Sequence, residues 1–262
     1  MIALKERIAG AFERASSYDD HAVVQQRIAR RLARRIAALP LGPAPRILEI
    51  GCGTGFLAAA AEGLVEGADW LMTDISPAMV ERSRRRFGAS ATHRFAVVDG
   101  EQPAFEPAEA PFDLICANFA VHWFEDLERG LSRLLRLLRP GGNLLFSTLA
   151  DGTFGEWRGA HEPLGFAAGT PSYPTREALA AMRLDGVEGK WEYDRLVETY
   201  ASASDFLHAL RAIGAGTPRP GHRPLSAAAM RQVMRRFEQA GASASYCVMI
   251  ADYRWPLATT PP

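Results

Sequence analysis

Ile47-Leu48-Glu49-Ile50-Gly51-Cys52-Gly53-Thr54-Gly55-Phe56-Leu57 is the stretch from which the rest of the chain can be read. An apolar run carrying one acid gives way to three glycines at alternate positions, and small and apolar residues then resume at helical spacing. That pattern is a strand, a tight turn and a helix start, the entrance to a nucleotide-type α/β fold. A side chain at Gly51, Gly53 or Gly55 would obstruct either a turn that needs positive φ or a ligand lying against the main chain. The spacing also separates ligand classes. A dinucleotide fingerprint reads G-x-G-x-x-G; here the third glycine comes one residue early and Phe56 takes its place, which disfavours a nicotinamide dehydrogenase. No Gly-Lys-Ser/Thr follows, so a Walker loop is excluded.

At 262 residues the chain suits one large α/β domain with an insertion or small cap. No apolar run approaches the length a bilayer requires, and Met1 to Arg14 mixes charges among its apolar residues without a signal-peptide core, so a cytoplasmic protein that avoids membranes is expected. Cys52, Cys116 and Cys247 are three in number, with no metal-type spacing, and neither a disulfide nor a metal is expected. With 30 basic and 30 acidic residues the formal charge is zero, which argues against a general nucleic-acid binder. The arginines nevertheless cluster, as Arg27, Arg30, Arg31, Arg34 and Arg35 and again as Arg231, Arg235 and Arg236. In each cluster the apolar residues form a helix stripe (Val24, Ile28, Leu32, Ile36; Met230, Val233, Met234, Phe237), leaving the arginines outward.

Before the first strand lies a segment rich in hydrogen-bonding side chains, among them Tyr18, His21 and Gln25. A helix is expected from about Asp19 or Asp20 towards Ala38, placed to fold over a ligand. Beyond the glycine turn a second strand, Trp70 to Asp74, ends in an acid about 20 residues on, where a carboxylate can accept both ribose hydroxyls of an adenosine. Ser76-Pro77 then opens a helix. A third strand, Phe95 to Val98, ends at Asp99-Gly100, and a fourth, Phe112 to Ala117, runs into Asn118, His122 and Trp123. Ligands in open parallel sheets bind beyond the carboxyl ends of the strands, which makes these loop residues site candidates. A helix from Leu127 to Leu138 stops at Pro140-Gly141-Gly142, and a fifth strand follows from Asn143 to Thr148. The alternation predicts a parallel, doubly wound sheet. Two later strands are expected near 190–200 and 244–252, with a helix from Ser204 to Gly214 and Gly/Pro-rich stretches at 151–174 and 216–224 between them. We expect residues 1–150 to form a lid helix with the cofactor core, and residues 151–262 to supply substrate-side insertions and the last two strands.

The E-x-G-x-G-x-G turn resembles motif I of the class I methyltransferases, which use S-adenosylmethionine and yield S-adenosylhomocysteine. The resemblance implies a mixed seven-stranded sheet and assigns Glu49 to the methionine end of the cofactor and Gly51, Gly53 and Gly55 to its adenosine. It places Asp74 and Ile75 at the ribose, Asp99 and Gly100 at the adenine, and Tyr18, Gln25 and Asn118 around the same ligand. More of the chain is similar to one family, the malonyl-acyl-carrier-protein O-methyltransferases of biotin synthesis. The leader with Phe12, Tyr18, His21 and Gln25 carries that likeness, as do Asn118-x-Ala120-Val121-x-Trp123, Phe146 to Glu156, and Leu210-Arg211-x-Ile213-Gly214-Ala215. Trp157 departs from the pattern, standing where a leucine is expected, and the tail after Tyr253, ending in Thr259, Thr260, Pro261 and Pro262, reads as disordered.

The implied reaction moves a methyl group from S-adenosylmethionine to the free carboxylate of a malonyl thioester, on acyl carrier protein or coenzyme A. A carboxylate is already ionised near neutral pH, so no general base is assigned; the protein must hold two reactants in line and exclude water. No metal is needed. An arginine fork suits the malonyl carboxylate: Arg211 is the first choice and Arg158 the second, with His21, His122 and Trp123 as further substrate-side candidates. Acyl carrier proteins are acidic, so either arginine-rich face is a possible guide for one. A methyltransferase for another small carboxylate, hydroxyl or amine shares the first half of this reading, and so does a non-catalytic methyltransferase-like subunit.

Overall fold

The computed structural model describes residues 4–88, 90–105, 111–216 and 221–257. The tail expected to be disordered after Tyr253 is ordered at its start, since Arg254 ends the last strand and Trp255 N–H donates to Gly142 O at 2.8 Å; residues 258–262, and residues 217–220 of the Gly/Pro-rich stretch, lie outside the described residues. The described residues form an eight-stranded sheet in the order β3-β2-β1-β4-β5-β8-β7-β6. β1 (Arg46–Ile50), β2 (Asp69–Asp74), β3 (His93–Val97), β4 (Phe112–Asn118) and β5 (Leu138–Leu149) pair in parallel. From β1 the chain builds outward to β3 on one side and then to β4 and β5 on the other, so the order reverses between β1 and β4. Strands covered on both faces must be apolar nearly throughout; Ile47, Leu48, Leu114, Ile115, Cys116 and Leu144 are accordingly fully buried.

The sheet is doubly wound and mostly parallel as expected, but it has eight strands in place of the expected seven. The added one is β6 (Arg183–Leu184), antiparallel to β7 (Val187–Thr199), with Leu184 opposite Val187. Asp185 and Gly186 join them at φ 49° and 81°, the two positive values of a two-residue type I′ hairpin, which Asp-Gly favours. Three other boundaries differ from expectation. The helix before β5, α6 (Leu127–Leu135), ends three residues early, and Pro140-Gly141-Gly142 belongs to β5 instead of a loop. A register shift between Phe112 and Leu114 absorbs the irregularity, and Gly141 N–H donates to Trp255 O at 3.1 Å there. β3 starts at His93, two residues before the apolar run, because the backbone carbonyl of Thr92 already accepts from Trp70 N–H.

The chain divides into two compact units. One comprises Val23–Thr148, Glu177–Glu192 and Met249–Pro262. It contains the parallel strands with α3 (Val23–Ala38), α4 (Phe56–Ala61), α5 (Pro77–Phe87) and α6. In α3 the stripe Val24, Ile28, Leu32 and Ile36 is buried as its spacing demands. Caps set the other starts: the Ser76 hydroxyl accepts from Met79 N–H ahead of Pro77, and the Asp126 carboxylate from Arg129 N–H.

The other unit comprises Met1–Ala22, Leu149–Arg176 and Tyr193–Val248. It holds α1 (Leu4–Glu13), α2 (Tyr18–His21), α7 (Gly155–His161), α9 (Ala203–Ala212) and α10 (Ala227–Gln239); α8 (Arg176–Ala180) starts at its edge, and β8 (Ser243–Arg254) contributes its first half. The single leader helix expected from Asp19 or Asp20 is in fact two, since Ala22 leaves the helical region at ψ 44°. The core of this unit is aromatic. Trp157 lies 5.3 Å from both Phe206 and Phe237 by ring centroids, and those two rings are 5.0 Å apart. The departure from leucine at 157 is thereby explained: the indole fills a cage of rings, and it is only 4% exposed. Trp157→Ala is expected to lower unfolding stability by about 3–5 kcal/mol, and Trp157→Leu by less, measured as the urea midpoint at constant slope.

Candidate functional site

At the end of β1 the chain turns through Gly51, Gly53 and Gly55, at φ 65°, 55° and 86°. A Cβ on Gly51 would lie 2.3 Å from the Ala120 methyl, and one on Gly55 2.7 Å from the Phe87 ring. Packing against the protein's own atoms therefore demands these two glycines, in addition to any demand a ligand makes. The turn is pinned by Asp74, whose Oδ2 accepts from Gly53 N–H at 2.9 Å and Oδ1 from Ser76 N–H at 2.8 Å. Cys52 N–H donates to Thr73 O at 2.8 Å, and the Thr73 hydroxyl to Glu49 O at 2.8 Å. The ends of β1 and β2 are in this way tied by both main chain and side chain.

Two acids meet in this buried turn. Burial, with Asp74 adding repulsion, pushes the Glu49 carboxyl up to about 8, against a backbone hydrogen bond from Ala58. Burial also raises Asp74, opposed by the N–H groups of Ser76, Gly53 and Ile75. Cys52, buried beside both acids, is pushed well up and stays a thiol. Glu49 Oε2 and Thr54 Oγ1 are buried with no hydrogen-bond partner. With the backbone N–H groups of Gly53, Ser76 and Ile75 against it, the Asp74 carboxylate still keeps acceptor capacity. An unsatisfied buried carboxylate oxygen fits an ammonium group and a carboxylate with acceptor capacity to spare fits a diol, so these residues suit the methionine and ribose ends of S-adenosylmethionine. Ile75 is half-buried next to them.

The neighbouring strand ends contribute to the same unit. Asp99 Oδ1 accepts from Glu101 N–H at 3.0 Å, closing the loop after β3, and Gly100 packs so tightly that a Cβ would lie 2.3 Å from Ile50. At the end of β4 the Asn118 amide donates to Gln25 O at 3.0 Å, while its carbonyl accepts from the Ser147 hydroxyl at 3.0 Å. Ser147 in turn accepts from Phe119 N–H at 3.0 Å and holds Phe119 at φ 52°. Neither Ser147 nor Thr54 is singled out by the sequence pattern; the Ser147-Thr148 hydroxyl pair closing the apolar run of β5 is the available signal for the first. Desolvation of its ring pushes His122 down to about 3, so it is neutral at physiological pH. Its ring lies 5.0 Å from Trp123.

Tyr18, His21, Arg158 and Arg211 belong to the other unit. Tyr18 lies 6.3 Å from Phe12, whose ring packs against Gly214. His21 Nδ1–H donates to Ser17 O at 3.0 Å and its ring meets His208 at 5.1 Å. Arg158 donates to Thr153 O at 2.5 Å and sits 3.5 Å from Asp151. With Asp151, Glu162, Thr170 and Ser172 it lines a cavity of about 490 Å³. Arg211 is exposed, with Nε donating to Leu207 O at 3.2 Å. All three cysteines are buried and free. Among the described residues no group of His, Cys, Asp and Glu is arranged to hold a metal ion, and no helix is long and apolar enough to cross a membrane.

Comparison with known proteins agrees with the fold. Residues 48–144, from β1 to β5, match the family described as "Methyltransferase domain". A biotin biosynthesis bifunctional protein of Bordetella avium is 43% identical over 95% of this chain, which spans 52% of that protein's length. A malonyl-[acyl-carrier protein] O-methyltransferase of Magnetococcus marinus is 41% identical over 94% of this chain and 92% of its own. Among solved structures, the YcgJ protein of Bacillus subtilis superimposes with a TM-score of 0.60 at 18% identity, covering 86% of this chain and 97% of its own. The [4+2]-cyclase SpnF does so with a TM-score of 0.56 at 20% identity, over 89% and 81%. At such identities these two establish the fold alone. The full-length relative carries the assignment further: this chain belongs to the malonyl-[acyl-carrier protein] O-methyltransferase family.

Proposed function

We propose that the chain transfers the methyl group of S-adenosylmethionine to the free carboxylate of a malonyl thioester, giving the methyl ester that primes biotin precursor synthesis. Its kinship over nearly the full length of the Magnetococcus enzyme supports the acceptor. The observation that carries the cofactor half is the pair of buried acids on the glycine turn, one with an unsatisfied oxygen. Glu49 would take the ammonium of the methionine end and Asp74 the ribose hydroxyls, with Gly51, Gly53, Gly55 and Ile75 beside them. Asp99 and Gly100 would border the adenine, and Tyr18, Gln25 and Asn118 would complete the binding set. When bound, S-adenosylmethionine supplies an activated methyl group together with its own leaving group. The protein's task is then to orient and to exclude water.

No residue has to remove a proton, because a malonyl carboxylate is ionised near pH 7. His122, neutral at that pH, contributes a hydrogen bond and ring surface with Trp123 instead of charge. Between the arginines, Arg158 is supported by its place on a cavity and Arg211 by its exposure, which leaves it available. Asp151 already engages Arg158, so a malonyl carboxylate would have to compete with it. His21 remains a further substrate-side position. Acyl carrier protein is the carrier named for the relatives, and coenzyme A the alternative carrier of the same thioester.

Labelled S-adenosylmethionine with malonyl-carrier protein or malonyl-coenzyme A should give a base-labile methyl ester; label in neither product would overturn the assignment. Loss of the arginine that holds the carboxylate should raise the malonyl KM about 10–100-fold, as expected for one charged hydrogen bond, with cofactor affinity within about twofold. Comparing Arg158→Ala with Arg211→Ala decides between them.

Glu49 gives a second prediction. With its carboxyl at about 8, the apo protein holds a proton there at pH 7, and an arriving ammonium favours the ionised form. Cofactor binding should therefore release close to one proton. Affinity should climb up to about tenfold per pH unit towards pH 8, where the cofactor's own α-amino group begins to deprotonate. Calorimetry in two buffers of different ionisation enthalpy counts that proton, and Glu49→Gln should abolish its release. The folded value lies above the ordinary 4.5, so the contribution of Glu49 to apo stability is complete below pH 4.5 and lost by about pH 8. Glu49→Gln should thus raise the apo melting temperature at pH 8 while weakening cofactor binding.

A further inference from the structure

The five arginines of α3 do not share one environment. Glu192 takes Arg31 and Arg35, a pair one turn apart, in two ion pairs. Arg30 and Arg34 form the adjacent i,i+4 row, are exposed, and have no acid partner among the described residues. They line a cavity of about 420 Å³ together with Arg86 of α5. Its floor is apolar: Phe56, Ala59 and Ala60 of α4, and Leu64, which is 48% exposed. Arg86 lies over the Phe56 ring at 5.1 Å, held as a planar cation on an aromatic face. A concave apolar floor rimmed by three arginines is an unusual surface for a chain of zero net charge, and Leu64 and Phe56 offer it an anchor pocket.

The frame of the cavity is also the frame of the glycine turn. Phe56 directly follows Gly55, and Gln26 on the wall directly follows Gln25, whose carbonyl is held by Asn118. We infer that this face, the arginine row of α3 with Arg86 and the α4 floor, docks an acidic helix of the acyl carrier protein that brings the malonyl group. The inference rests on the functional reading above and adds the surface to it. Charge complementarity selects the partner: a helix with acids one turn apart matches Arg30 and Arg34, and an apolar residue between them matches Phe56 and Leu64. Bare phosphate or a nucleic-acid backbone has no use for the apolar floor. The second basic face, Arg231, Arg235 and Arg236 on α10, is exposed but lines neither of the two cavities described, which makes it the internal control.

The test measures fluorescence anisotropy of malonyl-carrier protein labelled on its surface, titrated with the wild-type chain, Arg30→Glu/Arg34→Glu and Arg231→Glu/Arg235→Glu, with S-adenosylmethionine affinity as the check of folding. The α3 double variant should lose at least about tenfold in carrier affinity and flatten its salt dependence, with cofactor affinity and malonyl-coenzyme A turnover within about twofold. The α10 variant should stay near wild type. Carrier affinity unchanged in the α3 variant, a loss confined to the α10 variant, or a loss matched by equal loss of cofactor binding would each overturn the docking surface. A wild-type chain that methylates malonyl-coenzyme A yet does not bind carrier protein overturns the surface and leaves the reaction standing. One that methylates neither thioester overturns the reaction itself. Anionic phosphatidylglycerol vesicles form a further arm: binding to them that falls in the α3 variant while carrier affinity holds would also count against the proposal.

Discussion

The Asp74 carboxylate is the constraint on which the first unit depends. Its two oxygens take separate partners, one Gly53 in the turn after β1 and the other Ser76 at the start of α5. Removing it would strand two backbone donors in a buried turn, at roughly 1–3 kcal/mol each. It would also loosen the geometry that three alternate glycines at positive φ serve. In the reading proposed above the same group also takes the ribose hydroxyls, so that turn and ligand would draw on one side chain whose pKa burial raises.

Glu49 shows the opposite arrangement. Its side chain does little for the apo fold, since one oxygen has no partner and the charge is suppressed. A group kept at such a disadvantage is a candidate for a ligand, and in the proposed reading the two acids would divide the labour of the turn, Asp74 holding it and Glu49 taking a cation.

How much of the molecule is legible in the sequence depends on how local the cause is. The strand-turn-helix entrance, the acid ending β2 and the buried stripe of α3 follow from spacing within a few residues, and the structure has them where the pattern puts them. The glycine spacing reads as room for a ligand, yet at Gly51 and Gly55 the space is filled by Ala120 and Phe87, neighbours no spacing could reveal. Ser147 is silent in the sequence because its role, bridging Asn118 and Phe119, depends on β4 lying beside β5. Trp157 is an anomaly on the page until Phe206 and Phe237, about 50 and 80 residues on, close around it. The two-residue β6 leaves no alternation to detect, although Asp185-Gly186 is a strong hairpin signal.

That short strand has a consequence for the chain's life in a crowded solution. Because β6 covers only Val187 and Glu188 of β7, most of a thirteen-residue strand has no strand on its outer side among the described residues. An open edge of that length invites pairing with another molecule. β7 answers with charge at every second position from 188 to 194, Glu188, Lys190, Glu192 and Asp194, and with Arg195 beyond. A second strand approaching this edge would have to bring those charges out of water. Charge along an open strand in this way discourages edge-to-edge pairing.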